Sequence, residues 1–354
     1  GKRKKPILII PMKFILFCEN PYAFDVLAPL RNVLKQKGYD FLWYLSEKLC
    51  SEFPFKEEVH TSDINILKQY NSDAILVPGN EVPHFLRGLK VQVFHGLAGE
   101  KKGHFRIRHY FDLYLTQGPY FTKRFIELSK KHKDFEVVET GWSKLDAYSK
   151  NLHQFDTEKE ALRLEYKVDK IILYAPTFSP SLTSAPFLIS EIEALASNKN
   201  HLILIKFHDL IAKKLIADYK TIVNKCDNIL FIEDRNILKY LIISDLMISD
   251  TSSVIYEFLL LNKPVITFNT RSPKDTWENI SDPKQLTEKV KNNLEKDPYA
   301  DQRAQIIADY HPYKDGDSSL RMIQAVEKHI QQKGVPKKRK LSFLRRYKIN
   351  KMYK

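Results

Sequence analysis

The chain has 354 residues, which is enough for two ordinary domains that each bury a hydrophobic core. Its composition is 43% hydrophobic and 28% charged, which is typical of a soluble globular protein and excludes a fibrous or disordered chain. The cysteines Cys18, Cys50 and Cys226 lack metal-ligand spacing and imply no disulfide framework, which favours a reducing compartment.

The formal net charge of +14 is concentrated at the two ends of the chain. Residues 2–5 are all basic, and residues 333–354 contain seven lysines, three arginines and no acid. Without those fourteen residues, 43 basic side chains remain against 43 acidic ones. This distribution excludes a broad nucleic-acid-binding face and predicts basic terminal arms.

Apolar strands alternate with amphipathic helices along the chain. In the first half we predict strands at 12–17, 41–46, 74–78, 91–95 and 113–116, with helices at 22–37, 62–70 and 119–133. In the second half we predict strands at 171–175, 201–207, 229–232, 246–248 and 264–268, with helices at 187–197, 209–224, 235–243, 253–262, 282–296 and 317–332. Such alternation indicates parallel sheets with right-handed crossovers.

This order predicts an α/β protein with two facing Rossmann-like lobes and a ligand cleft between them, at the carboxyl ends of the strands. The polar stretch Ser149–Glu160 is the natural boundary. We therefore expect domains at 1–150 and 151–332, followed by a basic tail at 333–354. The apolar run Pro6–Cys18 is interpreted as a core strand, because it has no small-residue cleavage site of a signal peptide. No segment is expected to span a membrane.

A buried strand at Leu246–Ile248 leads into a hydroxyl-rich turn, and a helix is expected to begin at Ser252 or Ser253. The N–H groups and dipole of such a helix start attract anions. Glu257 follows one turn later, where the ribose of a nucleotide would lie. The segment therefore favours a diphospho-nucleotide site, although a Ser-capped helix after a core strand has the same pattern.

Two histidines come at the ends of apolar strands. Val91–Gly96 ends in His95 and Gly96, and Leu202–Asp209 includes Lys206 and His208. Ligands collect at the carboxyl ends of parallel strands. One such histidine is usually structural, but two at matching places in different halves of the chain favour a functional role.

Several signatures of other chemistry are absent from the sequence. It has no G-x-G-x-x-G after the first strand, no Walker loop and no G-x-S-x-G elbow. Acidic clusters with metal-ligand spacing are missing as well, and Asp250 lies at a turn, where we expect it to cap the next helix. No metal site or cofactor is therefore predicted, and Mg²⁺ is not indicated.

Seven segments resemble, in chain order, the motifs of one known family. They are Phe94–Gly96 with Lys101-Lys102 (W-H-G-T-P-x-K), Phe111–Gly118, Glu139–Asp146 (G-x-P-R-x-D-like), Leu173–Phe178 (Y-A-P-T-[FW]), Ile205–His208 (K-[LF]-H-P), Ser249–Glu257 (S-D-Y-S-S-x-x-[FY]-[DE]) and Asn262–Pro264 (N-K-P). The order is similar to that of the CDP-glycerol glycerophosphotransferase family, which includes teichoic acid polymerases and some capsule polymerases. The resemblance covers about residues 90–320, and 249–264 is its most specific part.

The resemblance implies a GT-B-like fold with an acceptor domain followed by a nucleotide-donor domain. It also implies transfer of glycerol or ribitol phosphate from a CDP-activated donor to a lipid-linked glycan or polymer acceptor, with release of CMP. His95 and His208 are then the candidate catalytic residues, with His95 as the general base, and Lys206 and His208 are candidates to neutralise the diphosphate. The other candidate donor contacts are Thr177, Ser249, Asp250, Thr251, Ser252, Ser253 and Glu257. Candidate phosphate or acceptor contacts are Gly96, Lys101, Lys102 and Lys144.

Three motifs depart from the family pattern and leave the donor open between glycerol phosphate, ribitol phosphate and a sugar. Asp209 replaces a proline, Ser143-Lys144 replaces Pro-Arg, and Leu97-Ala98 replaces Thr-Pro. A GT-B glycosyltransferase with a nucleotide-sugar donor is the main alternative, since fold does not fix function. A nucleotide-sugar 2-epimerase needs acids for proton transfer, and no convincing set is found. A non-catalytic nucleotide- or glycan-binding protein is the third reading.

The basic segment 337–354 intersperses apolar side chains among its charges. We expect it to dock on an anionic membrane surface by electrostatic attraction rather than as a well-formed amphipathic helix. A nucleic-acid arm and a solvated tail are the alternatives. The expected location is cytoplasmic, peripheral on the inner face of the cell membrane.

Overall fold

The computed structural model describes residues 11–99, 103–272 and 275–354, which fold as two compact units. Unit 1 contains the described residues up to Gly96, together with Phe105–Ala147 and Tyr313–Lys354. Unit 2 contains Tyr148–Pro312 and the described residues of Leu97–His104. Each unit has its own parallel sheet, which confirms the prediction of two α/β lobes.

All strand pairs in the described parts of the chain are parallel. The strands of unit 1 are β1 (Lys13–Cys18), β2 (Asp40–Leu45), β3 (His60–Thr61), β4 (Ala74–Val77), β5 (Leu89–Gln92), β6 (Leu113–Thr116) and β7 (Glu136–Glu139). Those of unit 2 are β8 (Lys170–Tyr174), β9 (His201–Ile205), β10 (Ile229–Phe231), β11 (Leu246–Ser249), β12 (Val265–Phe268) and β13 (Glu278–Ile280). The sheet orders are β3-β2-β1-β4-β5-β6-β7 and β10-β9-β8-β11-β12-β13.

Each predicted strand overlaps an observed one, whereas β3, β7 and β13 were not predicted. All three lie at sheet edges and are two to four residues long. The interior strands β4, β5, β6, β11 and β12 are buried at every position. Strands buried on both faces appear as apolar runs, whereas short edge strands do not.

The helices follow the predicted alternation. They are α1 (Ala23–Gln36), α2 (Ile64–Tyr70), α3 (Pro119–His132), α4 (Asp146–Asn151), α5 (Asp156–Tyr166), α6 (Ala185–Leu195), α7 (Lys213–Lys225), α8 (Leu238–Ile243), α9 (Val254–Leu259), α10 (Leu286–Lys296), α11 (Ala300–Tyr310), α12 (Ser318–Lys333) and α13 (Phe343–Met352). The helix α5 begins within the polar stretch taken as the domain boundary, and none of its residues is buried.

The segment Tyr313–Lys354 belongs to unit 1. We had predicted that its first part belongs to the second domain, at 151–332, and that 333–354 is a separate tail. Asp146 fixes the start of α12, because its buried carboxylate accepts the backbone N–H groups of Ser318 (3.0 Å) and Ser319 (2.8 Å). Gly141 has φ +82°, and a Cβ there would lie 2.2 Å from the Ser318 hydroxyl oxygen. Glycine is therefore required at this close approach.

The basic segment 337–354 is folded onto unit 1, and its last part is the helix α13. Arg339 forms ion pairs with Asp112 (2.6 Å) and Asp134 (2.9 Å). Ile349 is fully buried, and the Tyr353 hydroxyl donates to the Glu19 carboxylate at 2.7 Å. These contacts were unreadable in the sequence because their partners lie more than 200 residues away. Every helix in the described ranges is too short or too polar to cross a lipid bilayer.

Candidate functional site

Ser249 and Asp250, at the end of β11, hold the loop that follows β8. The Ser249 hydroxyl donates to the Ala175 carbonyl at 2.7 Å. The Asp250 carboxylate accepts backbone N–H groups from Thr177 (2.9 Å), Thr251 (2.7 Å) and Ser184 (2.8 Å), and the Ser184 hydroxyl at 2.8 Å. Both side chains are fully buried. Their polar atoms therefore shape the loop over 175–184, inside the protein.

Asp250 does not cap the next helix, so that prediction is wrong. The N-cap position of α9 is Ser253, and the hydrogen bonds of the Asp250 carboxylate go to the loop instead. Burial raises the pKa of Asp250 above its ordinary value, while the hydrogen bonds to Ser184, Thr177 and Thr251 oppose that shift. Four donors around one carboxylate are the arrangement that stabilises its ionised form.

The hydroxyl groups of Thr251, Ser252 and Ser253 lie in the turn between β11 and α9. Thr251 and Ser252 are half-buried and Ser253 is exposed. The Thr251 hydroxyl accepts the Arg271 N–H at 3.0 Å, and the Ser252 hydroxyl accepts the Val254 N–H at 3.4 Å. Since α9 has only six residues, the hydroxyls and turn N–H groups must supply more of any anion affinity than the helix dipole.

Glu257 lies on α9 and is 7% exposed, with its carboxylate accepting the Tyr148 hydroxyl at 2.9 Å. Tyr148 was missed by sequence reasoning, because it lies 109 residues away and just before the stretch taken as a boundary. A carboxylate whose orientation is fixed in this way is suited to accept hydroxyl groups of a ligand. The arrangement is compatible with the predicted ribose contact.

Lys206 and His208 follow β9. The Lys206 ammonium lies 3.3 Å from the Phe207 carbonyl, and burial lowers its pKa. The His208 ring lies 4.4 Å from the ring of Phe178, and its Nδ1 accepts the Leu210 N–H at 3.1 Å. Because Nδ1 is an acceptor, the proton of the neutral ring is at Nε2.

The ionisation of His208 favours this neutral form. Burial lowers the pKa of His208 below 6.5, Lys206 adds in the same direction, and Asp209 opposes them. The side chain is exposed at the end of β9. Near neutral pH, His208 therefore offers an N–H donor at Nε2, the group that a phosphate oxygen accepts.

His95 has the opposite arrangement. It follows β5 in unit 1, and its Nδ1 lies 3.0 Å from the carbonyl oxygen of Pro78. A carbonyl can only accept, so Nδ1 carries the proton and Nε2 is the basic nitrogen of the neutral ring. The ring lies 5.1 Å from that of Tyr22, and the side chain is exposed. Nε2 of His95 has the electronic form that a general base requires.

The remaining predicted residues are the candidate phosphate or acceptor contacts. Gly96 is half-buried, its carbonyl accepts the Gln117 amide at 2.9 Å, and a Cβ there would meet no atom within 4 Å. Packing therefore does not require glycine at this position. Lys144 is half-buried, with its ammonium 5.7 Å from the Trp142 ring. Lys101 and Lys102 lie outside the described residues.

The Asn262-Lys263-Pro264 element is structural. The Lys263 ammonium donates to the carbonyls of Leu241 (2.8 Å), Ile242 (2.7 Å) and Ser244 (2.6 Å), at the carboxyl end of α8. Unpaired carbonyls at a helix end attract a cation. Burial lowers the pKa of Lys263 to about 7, but three carbonyl acceptors match the three donors of the ammonium form.

In the parts of the chain that the structure describes, no group of three His, Cys, Asp or Glu side chains could hold a metal ion. The candidate groups in these parts include the unprotonated Nε2 of His95 in unit 1 and, in unit 2, the N–H donor of His208, the ammonium of Lys206 and several hydroxyls. Such groups suit the transfer of a phosphoryl group between oxygens, which needs positioning and charge stabilisation.

The sequence profile of the family CDP-glycerol:poly(glycerophosphate) glycerophosphotransferase matches residues 88–328. The chain belongs to this family. The match includes His95, His208 and the turn after β11, so all the candidate donor contacts lie in the part that is shared with this glycerophosphotransferase family.

Curated relatives include enzymes of teichoic acid synthesis. The chain is 30% identical to the teichoic acid ribitol-phosphate polymerase TarL of Staphylococcus aureus over 215 residues, which cover 54% of this chain and 37% of that protein. It is 25% identical to the teichoic acid glycerol-phosphate primase of Bacillus subtilis over 230 residues, which cover 61% of this chain and 58% of that protein. The matched parts thus span between about a third and three fifths of these relatives.

Solved structures share the fold at low sequence identity. The wall teichoic acid polymerase TagF superposes with a TM-score of 0.64 at 17% identity, over 91% of this chain and 89% of that one. A complex of S. aureus MnaA with UDP gives a TM-score of 0.67 at 16% identity, over 90% of this chain and 97% of that one. The predicted GT-B-like fold is confirmed.

Proposed function

We propose that this protein transfers glycerol phosphate or ribitol phosphate from a CDP-activated donor to a lipid-linked glycan or polymer in bacterial cell-envelope synthesis. In the reaction, an acceptor hydroxyl oxygen attacks the phosphorus that carries the polyol. A new phosphate ester bond forms, the bond to the bridging oxygen of the diphosphate breaks, and CMP leaves with the bonding electrons. Membership of the glycerophosphotransferase family supports this reaction class.

The observation that carries the proposal is the hydrogen bond between His95 Nδ1 and the Pro78 carbonyl. This bond leaves Nε2 as the basic nitrogen, which we assign to take the proton of the acceptor hydroxyl. An attacking hydroxyl that loses its proton during the reaction is a better nucleophile. No cofactor is proposed, because these steps require none.

The donor contacts are assigned to unit 2. The His208 Nε2–H and the Lys206 ammonium stabilise charge on the diphosphate. Hydroxyls of Thr177, Ser252 and Ser253 add hydrogen bonds to the phosphate oxygens, and Glu257 accepts ribose hydroxyls. Ser249 and Asp250, with their buried internal hydrogen bonds, act by holding the loop that carries Thr177.

A GT-B glycosyltransferase with a nucleotide-sugar donor is the second candidate. It is favoured by one observation, the likeness of the fold to MnaA, which was solved with UDP. A phosphate-binding turn and a carboxylate for ribose would bind a cytidine or a uridine diphosphate equally well. The identity of the nucleobase and of the transferred group therefore distinguishes the two functions.

Calorimetric titration tests the donor class. The purified chain is titrated with CDP-glycerol, CDP-ribitol, CMP, UDP-GlcNAc and UDP under identical conditions. We expect the cytidine ligands to bind and the uridine ligands to bind at least tenfold more weakly. Preference for uridine ligands would refute the CDP-polyol donor and support the glycosyltransferase.

We further propose that α13 docks the protein on the anionic inner surface of the cell membrane. Its outward side chains Phe343, Leu344 and Tyr347 are 73%, 78% and 63% exposed. Exposed basic residues accompany them, namely Lys337, Lys338, Arg346, Lys348, Lys351 and Lys354. Each cation near an anionic surface contributes about 1 kcal/mol, and the apolar side chains add insertion energy. No nucleic-acid partner is proposed.

Vesicle sedimentation tests this docking. The Phe343→Ser/Leu344→Ser/Tyr347→Ser variant keeps the buried Ile349 and Tyr353 that hold α13 on unit 1. We expect it to bind vesicles of anionic lipid much more weakly than the wild type, at low and at physiological salt. The matched control Leu164→Ser changes a side chain that is 77% exposed on α5. Unchanged binding of the triple variant would exclude insertion of these three apolar side chains as the source of the membrane affinity.

A further inference from the structure

Two buried glutamine side chains join the ends of β4, β5 and β6 around His95. Gln92 is 4% exposed and Gln117 is 0% exposed. The Gln92 amide donates to the Gly79 carbonyl at 2.7 Å, and its carbonyl accepts the Phe94 N–H at 2.7 Å. The Gln117 amide donates to the Gly96 carbonyl at 2.9 Å. The backbone on both sides of His95 is therefore held by a side chain of the sheet.

Phe94 has an unusual backbone conformation, with φ +65°. A bulky side chain rarely adopts this left-handed region, and such a conformation persists only where its surroundings hold it. The Phe94 ring is 6% exposed and packs 5.2 Å from the ring of Phe125. With the N–H of Phe94 bound to Gln92 and its ring in the core, the chain is forced to place His95 at this position.

The same glutamine also fixes the partner of the His95 ring. Gly79, which accepts from the Gln92 amide, directly follows Pro78, whose carbonyl accepts from His95 Nδ1. One side chain thus links the backbone that carries His95 to the backbone that selects its tautomer. The amide makes both bonds because it has a donor and an acceptor: an ionised glutamate would lose the donor and leucine both groups.

We infer that Gln92 and Gln117 are positioning residues that hold His95 in the tautomer with its proton on Nδ1 and Nε2 basic. They act through the backbone and the Pro78 carbonyl. The inference rests on the proposed role of His95 as the base, but the tautomer can be measured without any reaction.

The first measurement is the ring ¹⁵N chemical shifts of His95 in the full chain labelled with [¹⁵N]histidine, assigned by comparison with His95→Ala. We expect the wild type to show a protonated Nδ1 and an unprotonated Nε2 near pH 8. Gln92→Leu is expected to show a mixture of both tautomers, and Gln117→Leu a smaller shift in the same direction. The matched control is Asn228→Leu, which removes a buried amide that donates to Ala196 and His201 carbonyls in unit 2.

The second measurement is steady-state kinetics of the same variants. Gln92→Leu is expected to lower kcat by about tenfold to a hundredfold with KM changed by less than threefold, because misplacing a reacting group by about 1 Å costs roughly that much. Gln92→Asn keeps the amide on a shorter side chain and is expected to recover part of the loss. If Gln92→Leu does not fold, the milder Gln117→Leu and Gln92→Asn carry the test.

The outcomes separate the inference from the proposed function. A wild-type tautomer in all glutamine variants would overturn the inference. If the glutamine variants change the tautomer but His95→Ala has normal turnover, the positioning role of the glutamines is supported and the role of His95 as the base is refuted. A loss of kcat in Gln92→Leu without any change in tautomer would also overturn the inference, since another cause would then be acting.

Discussion

The strand-end regions of the two units hold their histidines in opposite ways. In unit 1, the Nδ1 atom of His95 donates to the Pro78 carbonyl, 17 residues earlier on the neighbouring strand end. In unit 2, the Nδ1 atom of His208 accepts the N–H of Leu210, two residues later in its own loop. The neutral rings therefore present different groups at Nε2: a lone pair in His95 and an N–H in His208.

This difference shows why two histidines at similar strand ends need not share a role. The sequence places both after an apolar strand and resembles the family at both positions, so both were predicted as catalytic. The hydrogen bond at Nδ1 separates them, because it decides which proton each ring can take or give. His95 is suited to accept a proton and His208 to donate a hydrogen bond.

The largest effect is expected for His95→Ala. Removing a general base should lower turnover by about 10²–10⁴-fold while leaving donor affinity within threefold. Turnover is followed as CMP release, and affinity by calorimetry. His153→Ala serves as the control, because His153 is exposed near α5 with its side chain 83% accessible. Near-normal turnover in His95→Ala would remove this histidine from the mechanism.

The second prediction concerns the loop over 175–184, which the Asp250 carboxylate holds by hydrogen bonds. Asp250→Asn places an NH₂ group among the N–H donors of Thr177, Thr251 and Ser184, so a hydrogen bond is lost and a donor is left without an acceptor. We expect the free energy of unfolding to fall by about 2–3 kcal/mol, measured by urea denaturation. Asp209→Asn is the same change at an exposed position and should cost less than about 0.5 kcal/mol. Equal stabilities would mean that Asp250 does not anchor the loop.

Glutamine substitution at the two histidines sharpens the comparison directly. Glutamine offers N–H donors but no basic nitrogen, so His208→Gln should retain more activity than His208→Ala. We expect His208→Ala to lower kcat/KM by about tenfold to a hundredfold, the effect of a hydrogen bond to a charged group. His95→Gln should be as inactive as His95→Ala. Rescue by glutamine at His95, or none at His208, would reverse the assignment.

The pH dependence of donor binding tests the contact between His208 and the diphosphate. Burial lowers the pKa of His208 below 6.5, so it gains a proton only as the pH falls below that value. The added charge should strengthen donor binding as the pH falls below 6.5, and His208→Gln should abolish that gain. Donor affinity that is independent of pH in the wild type would argue against a contact between His208 and the diphosphate.

Much of the fold could be read from the sequence, because the interior strands are buried on both faces and appear as apolar runs. The edge strands β3, β7 and β13 could not be read, since they are short and polar. The return of α12 and α13 to unit 1 was also unreadable. It depends on contacts such as Asp146 with Ser319 and Arg339 with Asp112, which are separated by 173 and 227 residues.

For the candidate site, the motifs selected residues but did not indicate their hydrogen-bond partners. The motifs led to His95, His208, Glu257 and the turn after β11. They did not show that Ser249 and Asp250 point into the protein, because a buried anchor and a ligand contact use the same polar residues. The partners Tyr148, Gln92 and Gln117 gave no sequence signal beyond a polar residue beside or within an apolar run.

The smallest effect is expected for the hydroxyls of Ser252 and Ser253, in the turn after β11. Ser252→Ala/Ser253→Ala should weaken binding of CMP by about tenfold, since each lost hydrogen bond contributes about 0.5–1.5 kcal/mol. Titration calorimetry measures the affinity, and Ser197→Ala is the control because its exposed hydroxyl bonds only to the nearby Ala194 carbonyl. Because α9 has only six residues, its dipole alone should not compensate for the missing hydroxyls. Unchanged affinity would show that the phosphates are held elsewhere, which leaves His208 and Lys206 as the donor contacts to test next.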